Sequence, residues 1–269
     1  MGNIVIKCPS CQVALQLSVP EGISEAMEEG IKQGVDRTLT SMGLAGIDLR
    51  GYWGTCQRLK SISNDLAEFL DERVEDVIAQ MDWPEKRLAD GWKERKCSTE
   101  DFYKDNRDYL YDNAKYNNFL MYQVQRLLPL VRIRGQRTLD IGCGIGALVS
   151  MLGEQDNEST GYDINPQIIA FAEFLKTKYN LKAKFVTGKP DFSQFDLITA
   201  LGTFEHFENL EEFVAELGKT MKTNSFLYHY DDFGDQTISP MHFDYSKDMD
   251  SWLDNSGFRR ITNVWAVKV

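Results

Sequence analysis

Thr138-Leu139-Asp140-Ile141-Gly142-Cys143-Gly144-Ile145-Gly146 decides how this chain folds. An apolar strand pattern runs into three glycines at alternate positions, and a helical pattern follows. Glycine tolerates positive φ and lets a ligand touch the backbone. The first turn of the next helix points free N–H groups into the same space. Nineteen residues after Gly144, the next strand pattern ends at Asp163. A carboxylate there can accept hydrogen bonds from both hydroxyls of an adenosine ribose.

Outward from this stretch the pattern alternates. Strands are expected at 137–141, 160–164, 184–187, 195–201 and 225–230. Helices are expected at 146–153, 166–179, 210–221 and 247–255, and 258–269 reads as one last strand. Asn165 caps the second of these helices and Pro166 takes its first position, where a missing N–H costs nothing. Such alternation predicts an α/β fold, a Rossmann-like, doubly wound and mostly parallel sheet over residues 131–269. Upstream, residues 61–130 read as helical. Leu66, Leu70, Val74, Val77 and Met81 recur at steps of three and four, predicting one helix over 64–81 capped by Asn64. The stretch 101–128 is rich in Tyr and Asn and ends in a helical pattern punctuated by Pro129. Residues 1–60 read as a small N-terminal subdomain, with a strand at 3–7 and the alternating run Val13, Leu15, Leu17, Val19.

Composition narrows the function. The 269 residues carry 30 basic and 41 acidic side chains, a net charge of −11. Phosphate backbones need clustered Lys and Arg, so no nucleic-acid partner is expected. Residues 191–250 hold 13 acids against Lys219, Lys222 and Lys247, which nets −10. These acids read either as solvated helix faces or as a negative field near a ligand site. No apolar run approaches the roughly 18 residues of a membrane span, and the N-terminus lacks a signal-peptide core, so a cytoplasmic protein without a membrane partner is expected. Five irregularly spaced cysteines argue against a disulfide framework. Cys8-Pro9-Ser10-Cys11 resembles half a zinc ribbon. Without a second C-x-x-C to complete four ligands, it reads as buried thiols, and no metal is expected.

Two ligand classes fit the glycine loop. Gly142, Gly144 and Ala147 satisfy the dinucleotide pattern, which would make the chain an NAD(P)-dependent oxidoreductase. Three features favour S-adenosylmethionine instead. Asp140 directly precedes the loop. More than 130 residues precede the first glycine strand. The strand at 195–201 leads into Gly202-Thr203-Phe204-Glu205-His206-Phe207.

With these motifs in order, residues 130–258 resemble the class I S-adenosylmethionine-dependent methyltransferases, in the small-molecule group that places Glu-His after strand four. The resemblance implies S-adenosylmethionine as methyl donor, an N-terminal helical lid, and a small-molecule acceptor methylated at oxygen, nitrogen or carbon. It also implies a donor site built from Asp140, Gly142, Cys143, Gly144 and Gly146 at the methionine end. Asp163 would hold the ribose, with Ile164 and Leu201 alongside. Tyr103 and Tyr111 of the lid would hold the donor's carboxylate and surround its sulfonium. Two departures stand out. The family ends its sheet in an antiparallel hairpin, and one of those strands is expected to be short or missing here. Gly188, Lys189 and Pro190 follow strand three, leaving Asp191 as the nearest acid for the adenine amino group. A non-catalytic S-adenosylmethionine-binding protein would share the same motifs.

Methyl transfer is chiefly alignment, and a base is needed only for a protonated nucleophile. The three histidines, His206, His229 and His242, are the candidates, each placed after or near the carboxyl end of a strand. Each also has a reading as a hydrogen-bonded structural residue. His242, in a longer loop, is the preferred base. Glu205, His206 and His242 mimic part of the metal set of small-RNA 3′-end methyltransferases. Gly202 stands where that set's first glutamate belongs, which argues against a metal. The acidic wall predicts a neutral or cationic acceptor, bound between the loop after strand five and the lid.

Overall fold

The computed structural model describes residues 2–7, 14–19, 33, 37, 49–120, 124–233 and 240–269. They belong to two compact units, Met1–Ile47 and Asp48–Val269. The divide therefore falls before the expected residue 60, because 50–59 is a helix of the second unit. In the first unit, β1 (Gly2–Lys7) pairs antiparallel with β2 (Ala14–Val19), Gly2 opposite Val19 and Lys7 opposite Ala14. Cys8 and Cys11 lie outside the described residues.

The second unit begins with helices: α1 (Arg50–Leu59), α2 (Ile62–Leu70), α3 (Val74–Gln80), α4 (Pro84–Glu94), α5 (Thr99–Lys104), α6 (Arg107–Leu120) and α7 (Val124–Leu127). The single helix expected over 64–81 is two. Asp71 adopts φ 54° as the left-handed C-cap of α2, and its N–H bonds back to the Ala67 and Glu68 carbonyls. Nor does Asn64 cap the first of them; Ser61 precedes α2, and its Oγ bonds Asp65.

Alternation then takes over with β3 (Arg137–Ile141), α8 (Ala147–Gly153), β4 (Glu158–Tyr162), α9 (Pro166–Tyr179), β5 (Lys184–Val186), β6 (Leu197–Leu201), α10 (Leu210–Thr220), β7 (Phe226–Tyr230) and α11 (Met249–Asn255). The chain closes with β8 (Phe258–Arg260) and β9 (Trp265–Lys268). The seven strands lie in the order β5-β4-β3-β6-β7-β9-β8. β3 to β7 are parallel neighbours, and β9 runs antiparallel to both β7 and β8. The terminal hairpin is thus present, and of the two expectations for its strand, short or missing, short holds: β8 has three residues. The hairpin's break was hidden because Thr262, inside an apparently continuous run, turns the chain. The Thr262 Oγ1 accepts the N–H groups of Val264 and Trp265.

Leu139, Ile141, Ile198, Ala200 and Leu227 pack one sheet face against Leu210, Val214, Leu217 and Leu253 of α10 and α11. Val149, Ile169 and Phe185 form a core cluster among α8, α9 and β5. Burial on both faces explains why these strands read as continuous apolar runs rather than alternating ones. The chain winds outward from β3 through β5, then returns to β6 on the other side. The strand order reverses at β3 and β6, which opens a crevice at their carboxyl ends.

Candidate active site

The glycine loop fills that crevice's floor. Gly142 and Gly144 adopt φ of +65° and +53°. A Cβ on Gly142 would stand 2.5 Å from Thr203 Cγ2, and one on Gly144 would stand 2.1 Å from Asn113 Oδ1. Only bare backbone lets the loop pass this close to β6 and α6. Gly146, at φ +80°, is different. It N-caps α8, and a Cβ there would meet the Phe185 ring at 2.4 Å. It lines neither of the two cavities described below, so the structure does not bring it together with Gly142 and Gly144 there; it packs helix on strand.

Two cavities meet over the loop. The larger, about 830 Å³, is lined by Ile141, Asp163, Ile164, Gly188 and Lys189, with Thr99 of α5 opposite. The smaller, about 300 Å³, is lined by Asp140, Cys143, Gly144 and Leu201, with Asn113 and Asn117 of α6 opposite. Tyr103, Tyr109, Gly142 and His206 line both, so the cavities adjoin there.

Asp163 is buried at the end of β4. Its Oδ2 accepts the Gly144 N–H at 3.1 Å and its Oδ1 accepts the Asn165 N–H at 2.9 Å. Burial nevertheless pushes its carboxyl up to about 6. Asp140, also buried, accepts from Thr199 Oγ1 at 2.7 Å, and burial with Asp163 nearby pushes it to about 7. Both carboxyls lack a cationic partner among the described residues, an arrangement suited to a ligand bearing hydroxyl or ammonium donors.

Two expected contacts are absent. Asp191 is exposed and caps the turn Phe192–Gln194, its Oδ1 accepting from Ser193 N–H at 3.0 Å and Ser193 Oγ at 2.7 Å. A short polar residue before a turn satisfies the local backbone first, and Gly188 and Lys189 line the cavity instead. Tyr111 points away from both cavities; its hydroxyl lies 3.4 Å from Glu72 and its ring below Arg107. Tyr109, Asp112, Asn113, Tyr116 and Asn117 are the α6 residues that face the smaller cavity. Their spacing of three and four was the available signal, since it puts them on one helix face.

The histidines separate. His229 is buried outside both cavities, its Nδ1 2.6 Å from Asp231 Oδ2 and its ring stacked near Phe204. His206 and His242 stand together, ring centroids 4.6 Å apart. Tyr103 Oη lies 2.7 Å from His206 Nδ1. Burial, with His242 alongside, pushes His206 down to about 3, so it stays neutral and is a poor proton acceptor near neutral pH. Burial also lowers His242, against the opposing pull of Asp232.

Glu205 is the residue the histidine argument passed over. It is 2% exposed and lines the smaller cavity. Its Oε1 accepts the Asp232 N–H at 3.2 Å, its carbonyl accepts the Phe243 N–H, and its buried Oε2 has no partner among the described residues. Burial, reinforced by Asp231, pushes its carboxyl up to about 8. Among the described residues no group of three or more His, Cys, Asp or Glu side chains is arranged to hold a metal ion. No described helix is long and apolar enough to cross a membrane.

Residues 139–227 match the family model described as a methyltransferase domain. The ubiquinone biosynthesis O-methyltransferase of Pelagibacter ubique is 28% identical over 100 residues, covering 36% of this chain and 42% of that protein. The mitochondrial enzyme of the same name from Schizosaccharomyces pombe is 30% identical over 97 residues, covering 34% and 35%. The chain spans about two fifths or less of the length of these curated relatives. The structure of phosphoethanolamine N-methyltransferase 2 from Haemonchus contortus overlays with a TM-score of 0.48 at 15% identity, over 60% of this chain and 44% of that one.

Proposed function

We propose that this chain methylates a small-molecule acceptor with S-adenosylmethionine as donor, a reading supported by the match of residues 139–227 to a methyltransferase domain. The observation that carries the reading is the pair of adjoining cavities over the glycine loop, with buried Asp163 in one and buried Asp140 in the other. The residues present fit the donor. Asp163 would hold the ribose hydroxyls in the larger cavity, between Ile164 and Gly188. Asp140 and the bare backbone of Gly142 and Gly144 would hold the methionine end. When bound, the donor supplies a methyl group activated by its sulfonium.

The chain's own part is alignment and exclusion of water. Tyr103, Tyr109 and Tyr116, on the helical segment N-terminal to the sheet, act as the lid and carry rings suited to a sulfonium. Glu205 rather than a histidine is the group poised to take a proton, because it lines the cavity with one oxygen unpartnered among the described residues and burial has raised its carboxyl to about 8, whereas burial lowers both His206 and His242. The net charge of −11 supports a reading without a nucleic-acid partner. The test is mass-spectrometric detection of S-adenosylhomocysteine when the protein, donor and pools of amines, phenols and carboxylic acids are mixed. Product formed only with protein and a subset of acceptors is expected. No product with any pool, while the donor remains bound, would favour a non-catalytic binding protein.

A further inference from the structure

The smaller cavity holds more carboxyl groups than the donor can use. Five carboxylates line it: Glu85, Asp112, Asp140, Glu205 and Asp232. Among the described residues Arg126 is the single guanidinium lining it, and it is already engaged. Its Nη1 donates to Tyr116 Oη at 3.0 Å, and its Cζ stands 4.1 Å over the Tyr230 ring. Asp140 at the loop is assigned above to the donor. That leaves Glu205, at 2% exposure, with one carboxylate oxygen unpartnered among the described residues. A buried acceptor left without a donor is costly, more so when ionised. A sulfonium has no N–H or O–H, so it cannot donate a hydrogen bond to Glu205 Oε2.

Resting on the methyltransferase reading, we propose that the acceptor is a small amine, bound as its ammonium in this cavity with Glu205 Oε2 and Asp112 as counter-ions. The rest of the lining suits the body of such a molecule. Tyr103, Tyr109 and Tyr116 offer faces to a cation, and Leu88 and Met241 offer apolar surface. The cavity measures about 300 Å³, and the part that the donor's methionine end leaves free admits a compact group rather than a long chain. The carboxylate that binds the ammonium can also take one of its protons at Oε2, giving a neutral carboxyl and a nitrogen with a free lone pair. Burial has pushed that carboxyl to about 8, within reach of an amine desolvated in the same pocket.

The experiment is calorimetric titration in two arms. S-adenosylhomocysteine is titrated first into the full chain. Phenethylamine, 2-phenylethanol and phenylacetate, which share one framework, are then titrated into the loaded protein. The amine is expected to bind at least tenfold more tightly than the alcohol, with the carboxylate weakest. Glu205→Gln should weaken the amine roughly tenfold or more, the size of one charged hydrogen bond, while S-adenosylhomocysteine affinity holds within about twofold. Asp112→Asn gives a second reading should Glu205→Gln fold poorly, with the same direction expected. Equal binding of alcohol and amine, or amine affinity untouched in both variants, overturns the proposal while leaving the methyltransferase reading intact. No binding of S-adenosylhomocysteine in the first arm overturns both.

Discussion

Tyr103 Oη lies 2.7 Å from His206 Nδ1, and these two residues line both cavities. The contact ties α5 to the 3-10 turn that follows β6. Burial keeps the Tyr103 phenol neutral and the His206 imidazole unprotonated, so the bond joins two neutral groups and its direction follows the imidazole tautomer. Tyr103→Phe should therefore loosen the lid while sparing the sheet. About 1 kcal/mol of stability should be lost, seen as a Tm lower by a few degrees. The donor's KM should rise with kcat less affected, because ground-state positioning is what the bond supplies. An unchanged donor KM would show that this contact does not set the lid.

Gly144→Ala tests the close approach of loop and lid. The new Cβ would meet Asn113 Oδ1 at 2.1 Å in a φ +53° backbone. A cost of about 1–3 kcal/mol and a large loss of donor affinity are expected. Adding Asn113→Ala should recover part of both, since it removes the clash and leaves only the backbone strain. A double variant no better than Gly144→Ala would mean that the strain, not Asn113, dominates.

The buried acids set a pH dependence. Glu205, Asp112, Asp140 and Asp163 are raised to about 8, 7, 7 and 6 from unfolded values of 4.5, 3.8, 3.8 and 3.8. The folded protein thus binds more protons than the unfolded chain between these limits. Stability from these groups is complete below about pH 4 and is lost as pH rises toward 8. His206, lowered from 6.5 to about 3, acts oppositely, but only as pH falls below its unfolded value. Above pH 6.5 the carboxyls therefore prevail, and the Tm of the ligand-free protein should fall between about pH 6.5 and 8.5. Glu205→Gln should flatten that fall and melt higher than the parent at the upper end. Melting curves of both proteins at the two pH values decide it; a parent Tm that holds or rises would contradict the assignment.

Much of the sheet was legible because parallel strands buried on both faces leave unbroken apolar runs, and glycines and prolines punctuate them. The crevice was legible too, from Gly142, Gly144 and Asp163. The residues that the structure places away from the crevice share a cause. Tyr111, Asp191 and Gly146 were placed by motif order, whereas which way each points depends on contacts distant in sequence or on the local backbone. Tyr111 turns to Glu72, Gly146 makes room for Phe185, and Asp191 is consumed by its own turn. The turn that splits 258–269 into β8 and β9 was missed because Thr262, not glycine or proline, makes it. Glu205 was passed over as a possible base because a carboxylate's ordinary pKa is far from neutral. Its burial beside Asp231, which changes that, exists only in the folded chain.

Asp163 is where the account is most exposed. It braces the glycine loop through the Gly144 N–H and also faces the larger cavity. Asp163→Asn keeps one acceptor for the loop but loses the charge, whereas Asp163→Ala loses both. Donor affinity should fall in the order parent, Asn, Ala, with Ala weaker by several kcal/mol if two charge-assisted bonds vanish together. Isothermal titration of S-adenosylmethionine and NAD into the parent and both variants is the most direct measurement of the central claim. The account predicts that the parent binds S-adenosylmethionine, binds NAD far more weakly or not at all, and loses the donor in Asp163→Ala. Tighter binding of NAD than of S-adenosylmethionine, or donor affinity unchanged in Asp163→Ala, would contradict it.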